Sequence, residues 1–135
     1  RYIVSYQNCL WLRNNIHFSI DEPVFFMDYL FEYFISKIPL EDVRNIFYFY
    51  KDRSKGIDID EFITITNQLL MNDYNITQTA GNLFLHKNTL IYKLKKYEEI
   101  FNINIRGSFQ GKILLVLIAN TLKEYQRQKQ VGEKV

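Results

Sequence analysis

Cysteine, glycine and proline are scarce in this sequence, and the scarcity narrows the class of protein. The 135 residues include one cysteine, five glycines and two prolines. One cysteine cannot form an internal disulfide, which favours a reducing, cytoplasmic setting. We expect the side chain of Cys9 to be buried as a small apolar group, as free cysteines usually are. The chain also has no internal repeats and no low-complexity tracts.

A long hydrophobic run is missing too. The longest apolar run, residues 113–119, is far shorter than the roughly 20 residues that span a bilayer, so we expect no membrane partner. With 47% hydrophobic and 16% aromatic residues, the chain can form one domain or two small ones. It begins at Arg1, within a stretch of helical spacing and without a signal peptide. We therefore expect a piece of a longer protein whose sensory domain is not included.

The sequence also lacks the residue patterns of catalysis and metal binding. His17 and His86 have no cysteine, histidine or paired carboxylate at ligand spacing, which argues against zinc. There is no GxSxG turn and no glycine-rich phosphate loop. We therefore expect no catalytic residues, no cofactor and no metal, and a protein that is not an enzyme.

Residues 52–62 (DRSKGIDIDEF) are similar to a calcium-binding loop between two helices. In that alignment Tyr50 occupies the first ligand position without a carboxylate, and Lys55 occupies the position of the turning glycine. Calcium affinity should collapse without these two features. We interpret the segment as a turn followed by a helix that Asp58 or Asp60 caps.

The distribution of charge is more informative than its sum. A formal net charge of +2 is too small to indicate a nucleic-acid partner by itself. Between Tyr74 and Tyr97, however, there is no aspartate or glutamate, whereas four lysines occur at positions 87, 93, 95 and 96. Positive charge is therefore concentrated in one stretch.

The apolar spacing of the same stretch predicts two short helices joined by a tight turn. Ala80, Leu83 and Phe84 fall on one helical face, and the pattern breaks at Leu85 and His86. It resumes, at steps of four and three, with Leu90, Leu94 and Tyr97. The second helix would then present a hydrogen-bonding, positively charged surface that suits a DNA groove, formed by Asn88, Thr89, Tyr92, Lys95 and Lys96.

A family motif lies within this stretch. Its residues are Thr79, Ala80, Leu83, Phe84, Leu85, His86, Lys87, Asn88, Thr89, Leu90, Tyr92, Lys93, Leu94 and Tyr97. They resemble the C-terminal helix-turn-helix of bacterial transcription regulators of the PucR and CdaR type. The resemblance extends over about residues 57–122, with a further family-like segment at residues 23–39.

Three positions depart from the family pattern. Lys87 and Lys93 stand where the family usually has arginine, and Ile91 replaces a residue that is often arginine. Lysine keeps the charge but loses the planar fork that reads guanine. The resemblance implies a regulator of gene expression, of the sugar-diacid or purine-catabolism kind. It also implies an effector molecule that acts through an upstream domain.

We assign ten side chains to the interface with double-stranded DNA. Thr77, which we expect to cap the first helix, and His86, just ahead of the second, stand at helix starts that attract phosphate. Asn88 is the expected adenine reader, because its amide can form two bonds with the adenine edge. The backbone-phosphate contacts are Thr77, Gln78, Thr79 and His86, the base contacts are Lys87, Asn88, Thr89 and Tyr92, and the residues flanking the groove are Lys93 and Lys96.

The expected fold is mainly α, with a Fis-like helix-turn-helix in the C-terminal half. The alternation of Ile16, Phe18 and Ile20 with polar residues is typical of a short strand near residues 16–20. We divide the chain into a helical segment ending an upstream regulatory domain with connecting helices, a DNA-binding domain and a disordered tail. These parts are residues 1–53, 54–128 and 129–135.

The sequence thus predicts a sequence-specific DNA-binding transcription regulator that reads the major groove with the helix 87–100. Useful specificity normally needs two copies on related half-sites, so we expect a homodimer. Its contact would be the last helix, about residues 109–126, or the aromatic first half. The alternative is a helical protein–protein interaction module whose basic face is only solvated. The aromatic stretch 25–34 is more typical of a core or an interface than of a ligand pocket.

Overall fold

A computed structural model describes residues 2–17, 19 and 21–133. The chain forms two compact units, Arg1–Ile38 and Pro39–Val135. The part that is described is helical with connecting turns, which confirms the prediction of a mainly α fold. The expected domain boundary between Arg53 and Ser54 falls inside the second unit.

In its described residues the first unit forms two helices and a short 3-10 turn. Helix α1 spans Tyr2–Asn15, the 3-10 turn Phe26–Tyr29 and helix α2 Leu30–Ser36. Three rings, those of Trp11, Phe26 and Tyr33, meet edge to face with centroids 4.9–6.1 Å apart. The indole N–H of Trp11 donates to Ser36 Oγ at 3.0 Å. Two rings of the aromatic stretch, those of Phe26 and Tyr33, therefore form a local cluster with Trp11.

Other apolar side chains of this unit are exposed. They include Phe25, Met27, Phe31, Phe34 and Ile38. The prediction that Cys9 is buried is wrong, because Cys9 lies on a face of α1 that the described residues leave exposed. The expected strand near residues 16–20 is also not found: Ile16, His17 and Ser19 are in no strand, while Phe18 and Ile20 lie outside the described residues.

The second unit contains the remaining helices. They are α3 (Leu40–Arg53), α4 (Ile59–Met71), α5 (Ile76–Asn82), α6 (Lys87–Phe101) and α7 (Phe109–Glu133), with a 3-10 turn at Ser54–Gly56. The carboxylate of Asp58 caps α4 by accepting the N–H of Glu61 at 3.1 Å, as one of the two sequence alternatives predicted. Helix α7 continues past residue 126, so the described part of the expected disordered tail is mainly helical.

The core of the second unit lies where α4, α6 and α7 meet. The ring of Phe62 packs against Tyr97 and Phe101, with centroids 4.9 and 5.0 Å apart. Full burial of a Phe or Leu side chain contributes about 1.5–3 kcal/mol, so this cluster fixes how α6 lies on α4. The buried apolar side chains are Phe62, Ile65, Leu69, Ala80, Leu90, Leu94, Tyr97, Phe101, Ile105, Leu115, Ile118, Ala119 and Leu122.

Helix α7 is apolar on more sides than the described residues cover. Leu115, Ile118 and Leu122 face the core, whereas Phe109 and Ile113 are exposed. Its first turn is held by Ser108, whose Oγ accepts the N–H of Gly111 at 3.2 Å. The segment before α7 is tied to α6 by the carboxylate of Glu98.

Candidate nucleic-acid interface

The first helix of the pair, α5, is capped by Asn75. The Oδ1 atom of Asn75 accepts the backbone N–H of Gln78 at 3.0 Å. The expectation that Thr77 caps this helix is wrong, because the helix begins at Ile76 and Thr77 is already its second residue. Thr77 and Gln78 are nevertheless exposed in the first turn of α5.

Between α5 and α6 the chain turns through a left-handed residue. Phe84 has a φ of 55° and is 97% exposed. Leu85 N–H, just after it, donates to Ala80 O at 2.9 Å and closes the turn. The prediction that Phe84 shares a packing face with Ala80 and Leu83 is wrong. The left-handed conformation ends the helical period, so Leu83 packs against the core while Phe84 is left in solvent.

His86, the residue just ahead of α6, caps this helix. Its Nδ1 accepts the backbone N–H of Asn88 at 3.3 Å. A neutral imidazole whose Nδ1 is an acceptor carries its proton on Nε2. The exposed ring therefore caps the helix with one nitrogen and has a donor on the other.

Two opposite faces of α6 have different roles. Leu90, Leu94, Tyr97 and Phe101 are buried in the core of the second unit. The other face carries exposed side chains at steps of four, three and four, namely Asn88, Tyr92, Lys95 and Glu99. Tyr92 is 69% exposed, which is high for an aromatic ring. The surface expected for DNA is therefore not used for packing among the described residues.

Two lysines beside this face are tied to the first turn of α4 and to the 3-10 turn that precedes it. Lys93 Nζ forms an ion pair with the carboxylate of Glu61, and both side chains are partly buried. Lys96 Nζ donates to the carbonyl of Gly56 at 3.0 Å while its side chain remains exposed. The structure thus places Lys93 against a carboxylate from another helix. The sequence did not indicate this pair, because there is no acidic residue between Tyr74 and Tyr97 and Glu61 lies outside that stretch.

Thr79 does not lie on the surface. Its side chain is 0% exposed, and its hydroxyl accepts from the amide of Asn72 at 3.3 Å. The same Asn72 accepts from the amide of Asn82 at 3.3 Å, so it joins the end of α4 to the middle and to the last residue of α5. The assignment of Thr79 to a phosphate is wrong, because a buried hydroxyl cannot reach DNA without unfolding α5.

The structure therefore sorts the ten assigned side chains into three groups. Thr79 is buried and Lys93 is half-buried in an ion pair. The exposed group comprises Thr77, Gln78, His86, Lys87, Asn88, Thr89, Tyr92 and Lys96.

Two tyrosines near this site are structural. Burial raises the pKa of the Tyr97 phenol, and the nearby carboxylates of Glu61 and Asp58 add to that effect. Burial also raises the pKa of Tyr74 to about 12, and its hydroxyl donates to Lys112 O at 2.7 Å. Both phenols stay protonated at neutral pH and link the helices.

In residues 52–62, the segment similar to a calcium-binding loop, the carboxylates of Asp52 and Asp58 have structural roles. Asp58 caps α4, and Asp52 forms an exposed ion pair with Lys55 at 3.0 Å. Within the described ranges, no three histidine, cysteine or acidic side chains are grouped so that they could hold a metal ion. No helix in the described part of the chain is long and apolar enough to cross a membrane.

Helices α5 and α6, joined by a closed turn and leaving one face of α6 exposed, have the geometry of a helix-turn-helix unit. Residues 65–117 match the family model of the PucR C-terminal helix-turn-helix domain. This match confirms the sequence resemblance within residues 65–117, and the segment at residues 23–39 lies outside it. No curated protein and no solved structure matches the chain. A domain of this type indicates a DNA-binding regulator, and regulator domains of this family are typically non-enzymatic.

Proposed function

We propose that this chain is the DNA-binding part of a sequence-specific transcription regulator that inserts α6 into the major groove of duplex DNA. The observation that carries the proposal is the exposed face of α6, where Asn88, Tyr92 and Lys95 are free of packing. Amide, phenol and ammonium groups at this spacing match base edges flanked by phosphates. The absence of acidic side chains between Tyr74 and Tyr97 keeps this surface attractive to a polyanion.

The exposed residues divide into two roles. Thr77, Gln78 and His86 stand at the starts of α5 and α6 and bind backbone phosphates, with the Nε2–H of His86 as one donor. Asn88 reads adenine through two hydrogen bonds. The remaining base contacts are Lys87, Thr89 and Tyr92, and Lys96 is a phosphate contact at the edge of the groove.

Two copies of the chain act together on related half-sites, because one recognition helix reads only a few base pairs. The exposed apolar side chains Phe109 and Ile113 on α7, or those of the first unit, are the candidate dimer contacts. An effector molecule, bound by a domain upstream in the full protein, controls this activity in the cytoplasm. The support for control by an effector is that residues 65–117 match a domain type found in bacterial regulators.

A competing function is a protein–protein interaction module without DNA binding. The exposed side chains of Phe25, Met27 and Phe34 favour it, since such aromatic and apolar groups are common at protein interfaces. The two functions differ in their response to salt. Lysine contacts to phosphate release counterions, whereas an apolar contact is nearly insensitive to salt.

The test is a selection of duplexes bound by the chain from a random pool, followed by titration of the enriched duplex at several salt concentrations. The proposal predicts enrichment of one motif and an affinity that falls steeply as salt rises. If no motif is enriched and no duplex is bound even at low salt, the DNA-binding proposal is refuted. A scrambled duplex of equal length is the control for sequence preference.

A further inference from the structure

Two neighbouring lysines of α6 differ in what surrounds them. Lys93 is paired with Glu61, and its side chain is only 28% exposed. Lys95 is exposed, and its side chain forms no hydrogen bond or ion pair with the side chains and backbone that the structure describes. Equal charges only two residues apart in sequence therefore have unequal freedom to bind an anion.

The helical period places Lys95 on the same face as the proposed base-reading residues. Asn88, Tyr92 and Lys95 are separated by four and three residues, so their side chains form one row along α6. Position 93 lies off this row, toward α4. When the row of side chains on α6 enters the groove, Lys95 reaches the edge of the groove.

The next position on the row is acidic. Glu99 is exposed and follows Lys95 by four residues. A carboxylate cannot approach a phosphate without repulsion, so the contact surface ends between Lys95 and Glu99. Lys95 is then the last positively charged side chain of this row. It lies where the bound DNA strand would leave the protein surface.

Use of Lys93 for DNA would require its ion pair to break. Breaking it leaves Glu61 unpaired and only 38% exposed, at a site that the bound phosphates would approach. Both consequences oppose DNA binding. The partly buried carboxylate of Glu61 would lose its partner, and it would come close to the negatively charged phosphates. Lys95 has no such partner to give up among the described residues.

We infer that Lys95 is a phosphate-binding residue of the recognition helix and that Lys93 is a positioning residue, withheld from DNA by Glu61. This inference rests on the proposed DNA binding by α6. It moves one of the flanking contacts from Lys93 to Lys95. Lys93 then supports binding by fixing α6 on the first turn of α4.

The experiment compares Lys95→Gln and Lys93→Gln in the complete chain, with the duplex enriched from the random pool. The logarithm of the binding constant is measured against the logarithm of the salt concentration. Each phosphate contact contributes about 0.9 to the slope. Lys95→Gln should lower the steepness by about 0.9, and Lys93→Gln should leave it as in the wild type.

Two further variants make the outcome decisive. Lys95→Arg keeps the charge and should restore the wild-type slope, which a loss of folding or packing would not explain. Lys93→Met keeps the aliphatic stem, and it replaces Lys93→Gln if thermal melting shows that Lys93→Gln is unfolded. A slope unchanged by Lys95→Gln, or lowered by the substitution at Lys93, would overturn the inference. Absence of binding by the wild type would instead refute the proposed function itself.

Discussion

The ring of Tyr50 in α3 meets the ring of Phe101 at the end of α6 edge-on, with centroids 5.5 Å apart. A second link joins α3 to α7, since Lys51 Nζ donates to the Tyr125 hydroxyl at 3.1 Å. Helix α3 thus contacts both the recognition helix and the long last helix. These contacts lie within the second unit, Pro39–Val135.

Replacing Tyr50 by alanine should therefore weaken the DNA-binding unit. Loss of a half-buried ring and its contact with Phe101 should lower the free energy of unfolding by about 2 kcal/mol. The neighbouring Phe49 is 54% exposed and is the matched control. Phe49→Ala should change the free energy of unfolding by less than about 1 kcal/mol in the same denaturant titration. Equal effects of the two substitutions would mean that α3 does not support α6.

The turn residue Phe84 provides a test of the backbone geometry. A side chain other than glycine in the left-handed region costs about 1 kcal/mol or more. Phe84→Gly and Phe84→Ala both remove the exposed ring, but only the glycine variant relieves this cost. In thermal melts the glycine variant should be the more stable by about 1 kcal/mol. Higher stability of the alanine variant would contradict the left-handed turn.

Gly111 marks a close approach of α7 to the preceding loop. A methyl group added there would lie 1.8 Å from the carbonyl oxygen of Asn104, so backbone would have to move. Gly111→Ala should lower the free energy of unfolding by about 2–3 kcal/mol. Gly81 in α5 has nothing within 4 Å of such a group. Gly81→Ala should be neutral or stabilising by up to about 1 kcal/mol, owing to the helix propensity of alanine.

The environment of Glu98 makes the free energy of unfolding depend on pH. Partial burial alone would raise its pKa, but hydrogen bonds from the side chain and backbone of Arg106 and from Ile105 N–H hold the pKa of Glu98 below the ordinary value of 4.5. The folded state therefore binds this proton less readily than the unfolded state. The resulting stability is complete above pH 4.5 and is lost as the pH falls through the lowered pKa.

The measurement is urea unfolding of the wild type and Glu98→Gln from pH 7 downward. The wild type should be more stable at neutral pH, and the difference should shrink below about pH 4.5 as Glu98 is protonated. Glu99→Gln is the control, because Glu99 is exposed and forms no side-chain hydrogen bond with the described residues. A difference between wild type and Glu98→Gln that does not vary with pH would rule out this role of the carboxylate.

Sequence periodicity was sufficient to predict the two helices of the pair and which face of α6 is buried. Leu90, Leu94 and Tyr97 recur at helical spacing, and each is buried as predicted. Periodicity does not reveal which distant residue covers a given position. Glu61 pairs with Lys93 from a helix more than 30 residues earlier, and Asn72 covers Thr79 from the end of α4. Those two assignments therefore could not be corrected without the packing of α4.

DNA recognition depends above all on Asn88, and its base-reading role is tested by binding of Asn88→Ala to the enriched duplex and to the single base-pair variants of that duplex. The wild type should prefer one base pair by about 1–3 kcal/mol, and Asn88→Ala should lose that preference alone. Lys96→Ala, the comparison variant, should weaken binding to all duplexes alike. If Asn88→Ala retained the full wild-type preference at every position, Asn88 would not be the residue that reads a base.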